Sequence, residues 1–250
     1  MIPYIRLIIP TYGLMAAVGG ICAAVLLFYR GMVCENEFGF SMKDFGMLCF
    51  SAMLGCLIGS RTVFVLSQLP TLVKDPAKLI AAILAGGFVF YGGLIGAYAG
   101  TALFAKKKGF GTDRLFEFVT PAFVLFHAFG RIGCLLGGCC YGFELASPIT
   151  IGFIRLDHFP IQAVESAAEF VILLLIEKTH LREHKFISYI GLYSVFRFIA
   201  EFFRGDAVRG IWFGLSTSQW IALFTAGVVI AMIIRNIPER THKASETQES

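Results

Sequence analysis

From Ile8 to Tyr29 the chain carries no charged side chain, and long apolar runs of this kind recur as far as residue 234. An α-helix rises about 1.5 Å per residue, so about 20 apolar residues are what it needs to cross a bilayer. Inside hydrocarbon every backbone amide must find its partner within the chain, and an unbroken apolar run meets that demand as a helix. A membrane barrel would alternate apolar and polar residues, which these runs do not. Composition points the same way. Of 250 residues 57% are hydrophobic and 15% charged, with a mean hydropathy of +0.75, too little polar surface for a soluble domain of this size. The same figures exclude a disordered chain and a nucleic-acid module, and seven cysteines are too few for a secreted disulfide scaffold.

Seven runs are long enough to span: residues 8–29, 45–66, 79–104, 118–136, 161–176, 186–203 and 218–234. The expected fold is therefore all-α and polytopic, a single seven-helix transmembrane domain over residues 1–236 followed by a short polar tail, 237–250, read as disordered. The first run exceeds the roughly 7–15 apolar residues of a cleaved signal peptide and stays as an anchor. The loops after the first, third and fifth runs, with the tail, hold twelve of the 21 lysines and arginines, against six on the other side. The positive-inside bias then places the N-terminus outside and the C-terminus in the cytoplasm.

The remaining three basic residues, Arg61, Arg131 and Arg197, fall inside apolar runs. A charge at the centre of a spanning helix costs ~2.5–3.5 kcal/mol even on the mildest scale, so each implies a partner, a wet cavity or a ligand. Glu165 and Glu169 stand one turn apart in the fifth run, and Glu201 lies in the sixth. Arg197, Glu201 and Arg204 follow at i, i+4 and i+7, which on one helix face lets Glu201 pair with either arginine. The structural alternatives are an internal salt bridge for Arg197 and Glu201 and an interfacial anchor for Arg204.

Gly92, Gly96 and Gly100 make two overlapping G-x-x-x-G steps, a pattern that lets a second helix approach closely. Gly86, Gly87, Gly92 and Gly93 cluster around Tyr91 at the outer end of the third run, where they leave room for a headgroup. The segment from His127 to Gly142 closes the fourth run on the outer side. There Arg131 is flanked by Gly130 and Gly133, so a bulky anion has access to its guanidinium, which grips phosphate through two parallel hydrogen bonds. In a membrane that anion is a phospholipid headgroup. His127 and Cys134 share a helix face, and Cys139 and Cys140 follow in a glycine-rich turn. These three thiols are compatible with inert packing, a disulfide, a metal site with His127, or a reactive thiol. The C-x4-C-C spacing lacks the paired C-x-x-C of structural zinc sites, and adjacent cysteines rarely bridge each other. No metal ion, cofactor or nucleic-acid partner is read from the sequence.

These residues also carry a family resemblance. Tyr12-Gly-Leu-Met, Gly59-Ser-Arg61, Tyr91-Gly-Gly-Leu-Ile-Gly96 and Gly130-Arg-Ile-Gly133 occur in order. They are followed by Pro160-Ile-Gln162-Ala-Val-Glu165, Phe196-Arg197, Glu201-Phe-Phe-Arg204 and Gly214-Leu-Ser-x-x-Gln219. In this the chain resembles the prolipoprotein diacylglyceryl transferases of the bacterial inner membrane. The resemblance implies transfer of the diacylglyceryl group of phosphatidylglycerol to the lipobox cysteine of a preprolipoprotein. A thioether would form and glycerol-1-phosphate would leave on the outer face. It further implies that Arg131 and Arg204 hold the phosphate and stabilise the charge that grows on it. Tyr12, Arg61, Gly92, Gly93, Gln162, Glu165, Arg197 and Glu201 would shape the substrate cavity. The partners implied are phosphatidylglycerol or another anionic phospholipid, the lipobox signal peptide and the membrane itself.

The chain departs from the family pattern at several polar positions. Tyr91 stands where the family usually has a histidine taken as the base for the acceptor thiol, and Cys134, Gly137 and Cys139 replace Asn, Asn and Glu. A tyrosine, with an ordinary pKa near 10, is a weak base at neutrality. One reading keeps the reaction, with His127 as base or with the two arginines acidifying the acceptor thiol. A second gives the chemistry to Cys139 or Cys134, with His127 as base. A third is non-catalytic lipid binding or transport, against which stands the absence of any internal repeat in the sequence.

Overall fold

The structure, a computed structural model, describes residues 4–5, 9–34, 38–67, 69, 90–151, 154–179, 181, 184–205 and 210–248. The start of the third run, with Gly86 and Gly87, lies outside them, as do Arg6, Lys74, Lys78, Arg182 and Arg209 from the charge count. The apolar runs fold as helices: α1 (Thr11–Tyr29), α2 (Met42–Ser67), α3 (Phe90–Lys108), α4 (Thr112–Gly137), α5 (Ile161–Lys178), α6 (Lys185–Ala200) and α7 (Thr217–Gln248). Among the described residues, five stretches are long and apolar enough to cross a membrane: Thr11–Met32, Met42–Ser67, Thr112–Gly137, Lys185–Phe203 and Thr217–Ile234. The protein is thus a mostly helical, multi-pass membrane protein. The other two helices are the more polar ones, α3 ending on three lysines and α5 carrying three glutamates.

Among the described residues three small antiparallel ladders stand beside the helices: β1 (Tyr4–Ile5) with β2 (Ile9–Pro10), β3 (Glu144–Ile151) with β4 (Ile154–His158), and β5 (Ile211–Trp212) with β6 (Leu215–Ser216). An all-α reading missed these. The connection over residues 143–159 contains a hairpin whose register shifts between Glu144 and Ile149.

The chain divides into two compact units. In the unit Ala24–Val119, α2 and α3 pack backbone to backbone. A Cβ built on Gly55 would collide with the Gly96 carbonyl, one on Gly96 with that of Gly55, and one on Gly100 with that of Ser51. Gly59 and Gly92 oppose each other in the same way. The small-residue steps of both helices therefore serve one close crossing. Ser41 opens α2 with a reciprocal cap: its Oγ accepts from Asp44 N at 3.2 Å, and Asp44 Oδ2 accepts from Ser41 N at 3.2 Å. Beneath it Phe40, Phe104 and Phe118 gather with Leu48, Ala105 and Leu115 in a buried apolar cluster.

The second unit comprises Met1–Ala23 and Thr120–Ser250. Here α4 lies against the start of α1 through glycines: a Cβ on Gly19 would come within 2.6 Å of Phe129 Cβ, and one on Gly133 within 3.1 Å of Met15 Cβ. Val124, Ile172, Ile176 and Tyr189 form the buried apolar seam of α4, α5 and α6. Helix α6 stops at Ala200, earlier than the run of apolar residues, and passes through a 3-10 turn, Glu201–Phe203, into extended backbone at Arg204 (φ −81, ψ 139). Arg197, Glu201 and Arg204 therefore do not share one helix face as the i, i+4, i+7 count implied. Residues 237–248, read as a disordered tail, continue α7.

Candidate functional site

Within the second unit, α4, α5 and α6 turn their charged residues toward one another. The centre is Glu165 on α5, with a side chain 1% exposed. Its Oε1 accepts from Arg197 Nη1 at 3.2 Å, and its Oε2 lies 3.4 Å from Arg131 Nη1. One turn along α5, Glu169 Oε1 sits 2.6 Å from His127 Nδ1, which is also 3.0 Å from the Tyr189 hydroxyl. The two glutamates thus divide their work, one facing two arginines and the other a histidine. Isolated charges would not survive this burial; paired and hydrogen-bonded ones do.

The two arginines are held very differently. Arg197 pairs with Glu165 and Glu201 and donates from Nη2 to Ser218 Oγ at 3.2 Å. Among the described residues, Arg131 has a 3.4 Å contact with Glu165 and a 3.5 Å bond to the Tyr193 hydroxyl, and its buried Nε finds no hydrogen-bond partner there. Bonds at 3.4–3.5 Å are at the weak edge of the range. Arg131 is therefore the guanidinium with donors to spare, and Arg197 is the one already satisfied.

At the end of α4 the chain reverses. Gly138 takes a left-handed φ of 75°, Cys139 N bonds back to Cys134 O at 3.1 Å, and Cys140 is itself left-handed at φ 58°. This brings the sulfurs of Cys134, Cys139 and Cys140 within 4.8 Å of one another. Gln162, fully buried at the start of α5, donates from Nε2 to Cys139 O at 2.7 Å, while its Oε1 finds no hydrogen-bond partner among the described residues. Gly142 then pairs with Arg204 in an isolated antiparallel bridge, flanked by bonds from Phe143 N to Phe203 O at 3.1 Å and from Gly205 N to Tyr141 O at 3.1 Å. The thiol turn and Arg204 are thereby fixed side by side. Hydrogen bonds with Cys134 and Cys139, and then the charges of Arg204 and Arg131, hold the Cys140 thiol well below the ordinary thiol range.

Of the residues singled out in the sequence, Arg131, His127, Cys134, Cys139, Cys140, Gln162, Glu165, Arg197, Glu201 and Arg204 belong to this one unit. Tyr12 joins them, its ring 3.2 Å from where a Gly133 Cβ would stand. Arg61, Gly92 and Gly93 belong to the other unit. Gly92 and Gly93 are buried there, Gly92 against Gly59 and Val63, while a Cβ on Gly93 would stand 3.1 Å from Cys56 Sγ. Both glycines, read as room for a headgroup, thus have packing partners on α2. Tyr91 lies on α3, its side chain outside the described residues. Sequence reasoning missed Tyr189, Tyr193 and Ser218. The two tyrosines were within reach, because 189, 193 and 197 recur at i, i+4 and i+8 on the face that carries Arg197.

Comparison with known proteins adds to this geometry. The family model for prolipoprotein diacylglyceryl transferase matches residues 2–235. The phosphatidylglycerol–prolipoprotein diacylglyceryl transferase of Clostridium tetani is 31% identical, over 90% of this chain and 92% of the relative. A second such enzyme, from Clostridium perfringens, is 33% identical over 86% of each chain, and that of Pasteurella multocida 30% identical over 89% of this chain and 85% of its own.

Proposed function

The chain belongs to the prolipoprotein diacylglyceryl transferase family, and on that premise we propose that it transfers the diacylglyceryl group of phosphatidylglycerol to the lipobox cysteine of a prolipoprotein. The seven helices span the bacterial inner membrane, with the N-terminus outside and the C-terminus in the cytoplasm. Residues 1–236 act as one membrane-embedded catalyst. Glycerol-1-phosphate leaves on the outer face.

The observation that carries the assignment is the unequal holding of Arg131 and Arg197. A phosphate arriving at Arg131 meets a guanidinium with an unused Nε and two long, weak contacts, so binding sacrifices little. Arg204, fixed through the Gly142 bridge, supplies the second cation. The acceptor thiolate attacks the glyceryl carbon, the C–O bond to phosphate breaks, and its electron pair stays on the phosphate oxygen. The charge grows on the phosphate that the two guanidiniums would bind, and donors fixed in advance stabilise that transition state more than the ground state. Glu165 aims Arg131, and Arg197, itself held by Glu201, keeps Glu165 in place. His127 is enclosed by Glu169 and Tyr189, and its role is to position α4 against α5 and α6.

An apolar groove of about 530 Å³, lined by Ala168, Ile172, Leu192, Val195, Phe196 and Val229 among others, runs between α5, α6 and α7. It offers one acyl chain a path within the same unit. The assay is release of glycerol-1-phosphate from phosphatidylglycerol that depends on a lipobox peptide. Arg131→Ala should abolish release while the protein stays folded; release at the wild-type rate contradicts the assignment.

A further inference from the structure

We propose that Cys134, Cys139 and Cys140 form a site for one thiophilic d10 cation of the Zn2+ class, with a fourth position open to the acceptor thiol. The three-thiolate site stands on geometry alone; the fourth ligand rests on the transfer reading above.

Three sulfurs from a C-x4-C-C run converge within 4.8 Å of one another. Thiolates at about 2.3 Å from one tetrahedral ion stand about 3.8 Å apart, so side-chain rotation alone closes the set. The backbone is arranged for it. The left-handed residues Gly138 and Cys140 reverse the chain at the end of α4, and Gln162 clamps the Cys139 carbonyl at 2.7 Å. A left-handed conformation is uncommon for a residue with a side chain, and here it turns Cys140 back toward Cys134. The trio also grades from buried Cys134 through half-buried Cys140 to exposed Cys139, which leaves one side of the set open. Soft thiolates select Zn2+ or Cu+ over the hard cations. Three thiolates and one Zn2+ leave a net charge of minus one, and Arg204, bridged to Gly142 beside the turn, is a neighbouring cation.

The open position has a use in the reaction. The acceptor must react as thiolate, and a thiol that ligates zinc is deprotonated outright. On ligation the acceptor S–H gives its proton to water. The metal-bound sulfur then forms the C–S bond as the C–O bond breaks and the electron pair leaves with the phosphate. The metal keeps its oxidation state and its three protein ligands. The product thioether, neutral and a poor ligand, dissociates.

The test uses the full chain, reduced, in phosphatidylglycerol nanodiscs. Elemental analysis after Zn2+ loading should give one ion per chain, and Co2+ loading should give a thiolate charge-transfer band. Both should be lost in the Cys134→Ser, Cys139→Ser, Cys140→Ser triple variant and weakened in Cys139→Ser alone, whose exposed position spares the fold. A lipobox peptide should shift the Co2+ spectrum, and the same peptide with Ser for Cys should not. Chelation should lower transfer about 100-fold, the scale of a lost general base, with phosphatidylglycerol binding unchanged and Zn2+ restoring the rate. Sub-stoichiometric metal, equal binding by the triple variant, or a disulfide within the trio that persists as the active form overturns the site. Full-rate transfer by the triple variant overturns the acceptor-binding fourth position and leaves the transfer reading standing. A stoichiometric ion whose spectrum ignores the peptide, with no transferred group, keeps the three-thiolate site and sinks the transfer reading.

Discussion

Arg204 and Gly142 are joined backbone to backbone by an isolated antiparallel bridge, which fixes an arginine beside the turn that carries Cys139 and Cys140. The contact leaves no room for a side chain. A Cβ on Gly142 would stand 2.6 Å from Phe159 O and 2.8 Å from Phe203 O. Gly142→Ala should therefore push Arg204 out of place and cut transfer about 100-fold, while helix content measured by circular dichroism stays unchanged. Activity at the wild-type level would show that the bridge does not position the site.

Arg131 and Arg197 should respond to mutation in opposite ways. Arg131→Ala removes the guanidinium with free donors, and kcat/KM should fall about 100-fold or more with little change in thermal stability. Arg197→Ala takes from buried Glu165 and Glu201 the cation they share. Loss of one partner from a buried ion pair costs about 3–5 kcal/mol, so unfolding should shift first and strongly. Thermal unfolding in nanodiscs beside the peptide assay separates the two.

Arg131→Lys is a sharper version of the same comparison. Lysine keeps the charge and loses the fork that binds phosphate through two bonds. Transfer should recover only partly over the alanine variant, chiefly as weaker phosphatidylglycerol binding in KM. A lysine enzyme equal to wild type would mean that charge alone suffices.

His127→Ala should destabilise more than it slows the chemistry per folded molecule. The imidazole lies 2.6 Å from Glu169, which is completely buried. Removing it leaves a carboxylate without its partner, at a cost of about 3–5 kcal/mol if the pair is charged. A stable His127→Ala protein with no turnover would instead make His127 the base.

Gly96→Ala tests the other unit by itself. Its Cβ would collide with the Gly55 carbonyl, where backbone has nowhere to go. Overpacking of this kind costs about 1–3 kcal/mol, read as a lower unfolding temperature. Gly20→Ala is the control, since nothing lies within 4 Å of its Cβ position.

Much of this site was legible because membranes make charge informative. Arg131, Glu165, Glu169, Arg197 and Glu201 stood out as polar residues within apolar runs, and the fold brings all five together. Arg131 was legible as the arginine open to an anion, from Gly130 and Gly133 beside it, but how much more firmly Arg197 is held was not. That depends on Ser218 and Tyr193, which approach from other helices. The end of α6 was also hidden, because Phe202 and Phe203 extend the apolar run past the point where the helix tightens into a 3-10 turn. The thiols were visible as residues but not as a cluster. Spacing rules for zinc assume a C-x-x-C knuckle, whereas here a helix end with two left-handed residues closes the set.

The central claim is the transfer itself. Purified protein with phosphatidylglycerol and a lipobox peptide bearing one cysteine should yield a peptide heavier by one diacylglyceryl group, attached at that cysteine by a thioether. An unmodified peptide, from folded protein shown to bind the lipid, would contradict the account.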